Sequence, residues 1–223
     1  MNDVYSVFPL KLKNKRNSKY KKFIPFLSKH PRLKYLIDIV GPIQHEVPIW
    51  SSIDDAVLYS VIGQMLSGSA SCSIIKNLIV EFGSSSSVIH WAERNAHKNG
   101  PLKGVSQRKR KTLREWALYK RQNGRIWKNW SNMPLTDYRE EINKIWGFGR
   151  WSADMIAIFY LGRMDVWPET DGGILKACKA VFGTDEYSRL TEYIKGCETV
   201  TALYLWELIN KKLIHHFGEI SHG

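Results

Sequence analysis

Cysteine is scarce: Cys72, Cys178 and Cys197 stand far apart, without the spacing of a metal site. That argues against a disulfide framework, a zinc site or an iron-sulfur cluster, and leaves free thiols in the core as the default. Long apolar runs are missing too. Nothing approaches the roughly 20 residues needed to cross a bilayer, and the N-terminus lacks a signal-peptide core. An intracellular chain with no membrane partner is expected. Acidic residues are in deficit, 21 against 33 Lys and Arg, giving a formal charge of +12 and a pI near 9.6. Such a balance favours a polyanionic partner through counterion release, although a basic surface kept for solubility has the same composition. Sustained alternation of β-branched residues between turns is also absent, so the pattern predicts an all-α fold.

What is present is a helical chain with a substantial core. Its 223 residues, 43% hydrophobic, fit one domain or two closely packed lobes. Leu10 to Lys22 reads as a basic arm that either touches phosphates or is simply solvated. Ser52 with Asp55 reads as a capping box opening a helix through Ile62, and Gly63-Gln-Met-Leu-Ser-Gly68 interrupts it before Ile74, Ile75, Leu78 and Ile79 resume a helical period. Ser84 to Ser87 is a loop or a helix start. The cationic stretch Lys103 to Lys111 opens a helix carrying Leu113, Trp116 and Ala117. Another begins near Thr136 and Asp137, Trp151 to Leu161 forms a mostly buried one, Asp171 starts the next, and Thr199 to Phe217 reads as a last amphipathic helix.

Two features carry chemistry. Ile145-Trp-Gly-Phe-Gly-Arg-Trp151 is a Gly-x-Gly turn between two helices. Its missing side chains would let a phosphate reach the N–H groups opening the second helix, with Arg150 beside them; an ordinary tight connection uses the same glycines. Twenty residues after Trp151 comes Asp171, at the start of a helix behind Pro168 and Thr170. It is either a plain N-cap or a carboxylate held for chemistry. Met65, by residue type, reads as a core side chain filling a packing gap.

Gly147-Phe-Gly-Arg-Trp-Ser-Ala153, Leu161-Gly-Arg-Met-Asp-Val-Trp-Pro168 and Asp171 resemble the helix-hairpin-helix DNA glycosylase superfamily, specifically its 3-methyladenine DNA glycosylase II branch. Ile62-Gly-Gln-Met-Leu-Ser67, Gly104-Val-Ser106 with Lys109 and Leu113, and Tyr204-Leu-Trp206 match in the same order. The resemblance implies a two-lobed helical bundle with an interlobe cleft, residues 36–223 forming the glycosylase domain and 1–35 a basic arm and lead-in. It implies a monofunctional N-glycosylase that flips and excises alkylated purines such as 3-methyladenine, acting as a monomer on double-stranded DNA containing damaged bases.

Residue by residue, the resemblance makes Asp171 catalytic, stabilising an oxocarbenium-like transition state. Trp151, Tyr59 and Trp206 become the base pocket; Gln64, Met65 and Leu66 the DNA wedge; and Gly147, Phe148, Gly149, Arg150 and Lys109 the backbone-binding set. The carbonyls of Asn143, Ile145 and Phe148 become ligands for a Na+ or K+ ion, with no cofactor required. Relatives that also nick the strand carry a lysine where this chain has Trp151, so no lyase activity is expected. Relatives with an iron-sulfur cluster keep it near the C-terminus, where Phe217 to Gly223 has no cysteine. Where the family often has proline before the first hairpin glycine, this chain has Trp146. The remaining alternatives are a monofunctional glycosylase for mismatched or oxidised bases, a non-catalytic helix-hairpin-helix DNA-binding protein, and a basic helical protein that binds RNA or an acidic protein.

Overall fold

The computed structural model describes residues 19–43, 47–95, 102–184 and 186–217. Residues 10–18 of the expected arm and the tail 218–223 lie outside them. In chain order come a 3₁₀ turn Lys19–Phe23, α1 (Ile24–Leu27), α2 (Pro31–Val40), α3 (Ile53–Gly63), α4 (Gly68–Phe82), α5 (Ser85–Asn95) and α6 (Gln107–Asn123). A 3₁₀ turn Ile126–Asn132 leads to α7 (Leu135–Asn143), α8 (Arg150–Phe159), α9 (Gly172–Phe182), α10 (Tyr187–Ile194), α11 (Glu198–Asn210) and a 3₁₀ turn Ile214–Phe217. No strand occurs among the described residues, in agreement with the all-α expectation.

Residues 47–162 form one compact unit built around α3. Ser52 starts that helix with a full capping box: its hydroxyl accepts from the Asp55 N–H while the Asp55 carboxylate accepts from the Ser52 N–H. Val57, Leu58, Val61 and Ile62 are wholly buried, each contributing about 1.5–3 kcal/mol by leaving water. Helices α4, α5, α6 and α8 pack around α3. Asp54, only 6% exposed, is tolerated there because Trp116 Nε1 donates to it at 2.9 Å, Lys120 Nζ at 2.6 Å and Ser86 Oγ at 2.7 Å. The α7–α8 pair is locked by Tyr138, whose hydroxyl donates to the Ala153 carbonyl, and by Arg139, whose Nε donates to the fully buried Asp154 at 2.8 Å.

Residues 19–43 and 163–217 form the second unit, in which α2, α9 and α11 pack on one another. Cations close two helix ends here: Arg32 donates to the Val181 carbonyl at 2.8 Å and Lys211 to that of Val40 at 2.7 Å. The loop from Arg163 is pinned by Thr199, whose hydroxyl donates to carbonyls of Arg163 and Val166 and accepts the Val166 N–H. Trp167 is buried and stacked on Tyr187 with ring centroids 5.6 Å apart, a packing role for this loop aromatic.

Several expected boundaries move. The division expected at residue 35 falls inside α2, because Leu33, Leu36 and Val40 are all buried in the second unit; Tyr20, expected in a loose arm, is also buried. The last helix stops at Asn210 rather than Phe217: Lys212 takes a φ of 58° and the Leu213 N–H turns back to the Leu208 carbonyl. Ser84 to Ser87 resolves as the start of α5, where Ser85 and Ser86 donate to Asp55 and Asp54. Cys178 and Cys197 are buried as expected, Cys72 only half so.

Candidate active site

The hairpin is made by Ile145 to Gly149, between α7 and α8. Gly147 has a φ of 85°, and a β-carbon there would lie 2.1 Å from Thr112 Oγ1. Only glycine satisfies both constraints. Gly149 differs: it is the N-cap of α8 with an extended φ of −137°, and a β-carbon there would meet nothing within 4 Å. Its missing side chain leaves open space above the first N–H groups of α8, the arrangement that admits an anion. Arg150, in the first turn, is part-exposed and lies 3.9 Å from Asp154. Phe148 is buried and its N–H donates to the Ile145 carbonyl at 3.1 Å. Trp146 is 42% exposed and carries Lys111 Nζ 4.0 Å above its ring, a cation–π pair on the surface beside the turn.

Beside the hairpin in the same unit, α3 ends at Gly63 and the chain turns before α4. Met65 is 101% exposed with a φ of 57°, while Leu66 is 39% exposed. The core alternative for Met65 is therefore ruled out. Gln64 does not project with it: its Nε2 donates to the Gly147 carbonyl at 3.0 Å and to Ser152 Oγ at 2.8 Å. Lys109, expected to reach a phosphate, donates instead to the Ile62 carbonyl at 2.8 Å; this half-buried position lowers its pKa by desolvation.

Trp151 lies over the end of α3, where a β-carbon on Gly63 would be 3.2 Å from its ring. Tyr59 sits one turn earlier on that helix, its ring 5.8 Å from that of Trp50, which packs in turn on Phe159 at 5.5 Å. Burial, then the charge of Asp55, pushes the Tyr59 phenol up to about 12, so it is neutral at physiological pH.

Asp171 belongs to the second unit. It is the N-cap of α9, its Oδ1 accepting from the Ile174 N–H at 2.9 Å and from Trp206 Nε1 at 3.0 Å. The N-cap role is therefore real, and the indole fixes the same oxygen that caps the helix. Trp206 is thereby a partner of Asp171 as well as a candidate ring. The expected residues thus fall into two groups: Tyr59, Gln64, Met65, Leu66, Lys109, Trp151 and the hairpin in one unit, Asp171 with Trp206 in the other. Sequence reasoning passed over Gly63, Thr112 and Ser152. A small residue four places after Tyr59 could have flagged Gly63; nothing local marks Thr112 or Ser152.

No family profile matches the chain. An alkylbase DNA glycosidase-like protein of Schizosaccharomyces pombe is 28% identical over 166 residues, spanning 69% of this chain and 76% of that protein. Among solved structures, a DNA-3-methyladenine glycosidase from Bacillus halodurans superposes with a TM-score of 0.66 at 25% identity, covering 90% of this chain and 97% of its own. A Schizosaccharomyces pombe 3-methyladenine DNA glycosylase in complex with abasic DNA gives 0.70 at 20% identity, with 86% and 97% covered.

Proposed function

The chain has the fold of the helix-hairpin-helix DNA glycosylase superfamily, and on that premise we propose that it is a monofunctional DNA N-glycosylase that releases alkylated purines from duplex DNA. The observation that carries this reading is Asp171, held by a backbone N–H and an indole N–H on one oxygen. Cleavage of an N-glycosidic bond passes through an oxocarbenium-like state, and a carboxylate fixed in advance stabilises the developing positive charge without having to reorganise. A base made cationic by alkylation leaves readily, so no partnered general acid is required. Trp151 offers no amine for a Schiff base, which supports hydrolysis without strand nicking.

Binding and flipping are assigned to the other unit. The N–H groups of α8 and Arg150 grip a phosphate; Met65 fills the gap left in the stack when the base turns out; Trp151, with Tyr59 behind it, supplies an electron-rich face for a cationic purine. The same proposal includes a monovalent cation held by the carbonyls of Asn143, Ile145 and Phe148, adding positive charge toward a phosphate. The Ile145 carbonyl, already accepting from Phe148, keeps a second lone pair for it.

Wild type and Asp171→Asn are incubated with methylated duplex DNA and the released bases identified by mass spectrometry. Asparagine still caps a helix and can still accept from Trp206, so folding and DNA binding persist while release of 3-methyladenine or 7-methylguanine collapses. Equal release by the two proteins sinks the assignment of Asp171. Binding without release by wild type favours the non-catalytic reading, to which the capping bond lends weight. Replacing sodium by tetramethylammonium in the same incubation tests the cation: unchanged affinity and rate remove it.

A further inference from the structure

The turn carrying Met65 holds a large apolar side chain in water on a left-handed backbone, a conformation that residues with a β-carbon keep only where the surroundings impose it. The surroundings include two side-chain anchors on the residues that lead into it, at Ile62 and at Gln64. On the incoming side, Lys109 Nζ donates to the Ile62 carbonyl, one of the last-turn acceptors of α3 that has no N–H partner further along the helix. Immediately before Met65, Gln64 spends both amide hydrogens outside its own turn, on the Gly147 carbonyl and on Ser152 Oγ. Closure is completed by the Leu66 N–H, which donates to the Gly63 carbonyl at 3.2 Å, and by Ser67, which caps α4. Neither Gln64 nor Lys109 has the disposition of a DNA contact. An amide with both hydrogens committed has no donor left for a widowed base, and an ammonium seated on a helix end is not extended toward a phosphate.

We propose that Gln64 and Lys109 are positioning residues for base flipping: Gln64 ties the Met65 turn to the Gly147 end of the phosphate-gripping hairpin, and Lys109 seats the end of α3 beneath it. The inference rests on the glycosylase reading of the site. It adds that the grip on the backbone and the wedge are mechanically one piece, since Gly147 takes part in both. A phosphate that orders the hairpin also orders the residue preceding the wedge.

The test uses the full chain with Gln64→Leu, Lys109→Met and Lys109→Arg. In the free protein, amide hydrogen exchange at Leu66, read by NMR, speeds up at least tenfold in Gln64→Leu and Lys109→Met and returns toward wild type in Lys109→Arg. On DNA, the two disruptive variants keep affinity for undamaged duplex within about threefold, but lose most of the fluorescence change of a 2-aminopurine placed beside an abasic analogue, and base release falls about tenfold. The salt dependence of binding separates the two roles of Lys109. Positioning leaves the slope of log affinity against log salt unchanged in Lys109→Met, whereas a phosphate contact lowers it by about one unit; the latter result overturns the proposal for that residue. Unaltered Leu66 exchange in both variants overturns it for the pair, whatever the substrate. Failure of wild type itself to release a base or to alter 2-aminopurine fluorescence, with Leu66 exchange still faster in the variants, ends the glycosylase reading and the flipping role with it, leaving the anchoring as a finding about the turn alone.

Discussion

Met65 combines two costs, a left-handed φ of 57° and full exposure of an apolar side chain, so stability and proposed function pull apart at this position. Glycine adopts that backbone freely. Met65→Gly is expected to stabilise the fold by about 1 kcal/mol in urea unfolding, while the 2-aminopurine signal of base flipping is lost; Met65→Ala should stay within about 0.5 kcal/mol of wild type. A loss of several kcal/mol in the alanine variant would contradict the exposed placement. Little of this was readable beforehand. Met65 stood as core by residue type and as wedge by resemblance, and the resemblance put Gln64 and Lys109 on the DNA, because residue type alone does not tell whether a glutamine or a lysine faces solvent or a carbonyl. What decides them is a partner 83 positions away for Gln64 and 47 for Lys109.

Between α7 and α8 the two hairpin glycines make different demands, and their variants should separate accordingly. Gly147→Ala forces a β-carbon onto Thr112 and keeps a positive φ, so a loss on the order of 3 kcal/mol is expected in thermal or urea unfolding. Gly149→Ala meets no protein atom; its melting temperature should match wild type while duplex affinity falls. Equal stability losses in the two would show that the opening above α8 is not what Gly149 provides. At this scale the chain was largely legible. Ser52 with Asp55, and Asp171, cap their helices as their positions suggested, since such chemistry is local enough to read in a string of letters; Ser67 and Ser106 cap as well and went unread. The error at the final helix has the opposite cause: apolar spacing continues to Phe217, but the backbone reverses at Lys212, a residue with no intrinsic preference for that conformation.

For the molecule as a whole, the basic balance and the order of the motifs were visible, but the partition of the chain was not. The second unit joins residues 19–43 to 163–217 through contacts such as Arg32 with Val181, 149 positions apart, which no periodicity announces. Nor was the buried Asp54 expected. Desolvation raises the pKa of its carboxyl, but the hydrogen bonds from Lys120, Trp116 and Ser86 together outweigh that and hold it below the ordinary aspartate range. A group depressed in the folded state contributes stability that is fully present above its unfolded value, about 3.9, and lost as pH falls toward the folded one. Lys120→Met should therefore cost about 3 kcal/mol at neutral pH by leaving a buried charge short of its partner. The unfolded chains titrate alike, so the gap from wild type should narrow as acid protonates Asp54 in the folded variant and close as pH falls through the depressed wild-type value. Urea unfolding at several pH values measures it, and a cost independent of pH would show that the pair is not what stabilises this core.

The oxygen of Asp171 that caps α9 is the same one that Trp206 fixes, and this has a consequence for descent. A lineage released from any need for the reaction would still be held to a capping side chain at 171, since losing it costs about 1 kcal/mol of helix stability. Drift there would run among Asp, Asn, Ser and Thr rather than freely. Persistence of a capping residue therefore records only that the helix is kept. It is the choice of Asp over Asn, equal as caps and unequal in charge, that records whether the carboxylate is in use.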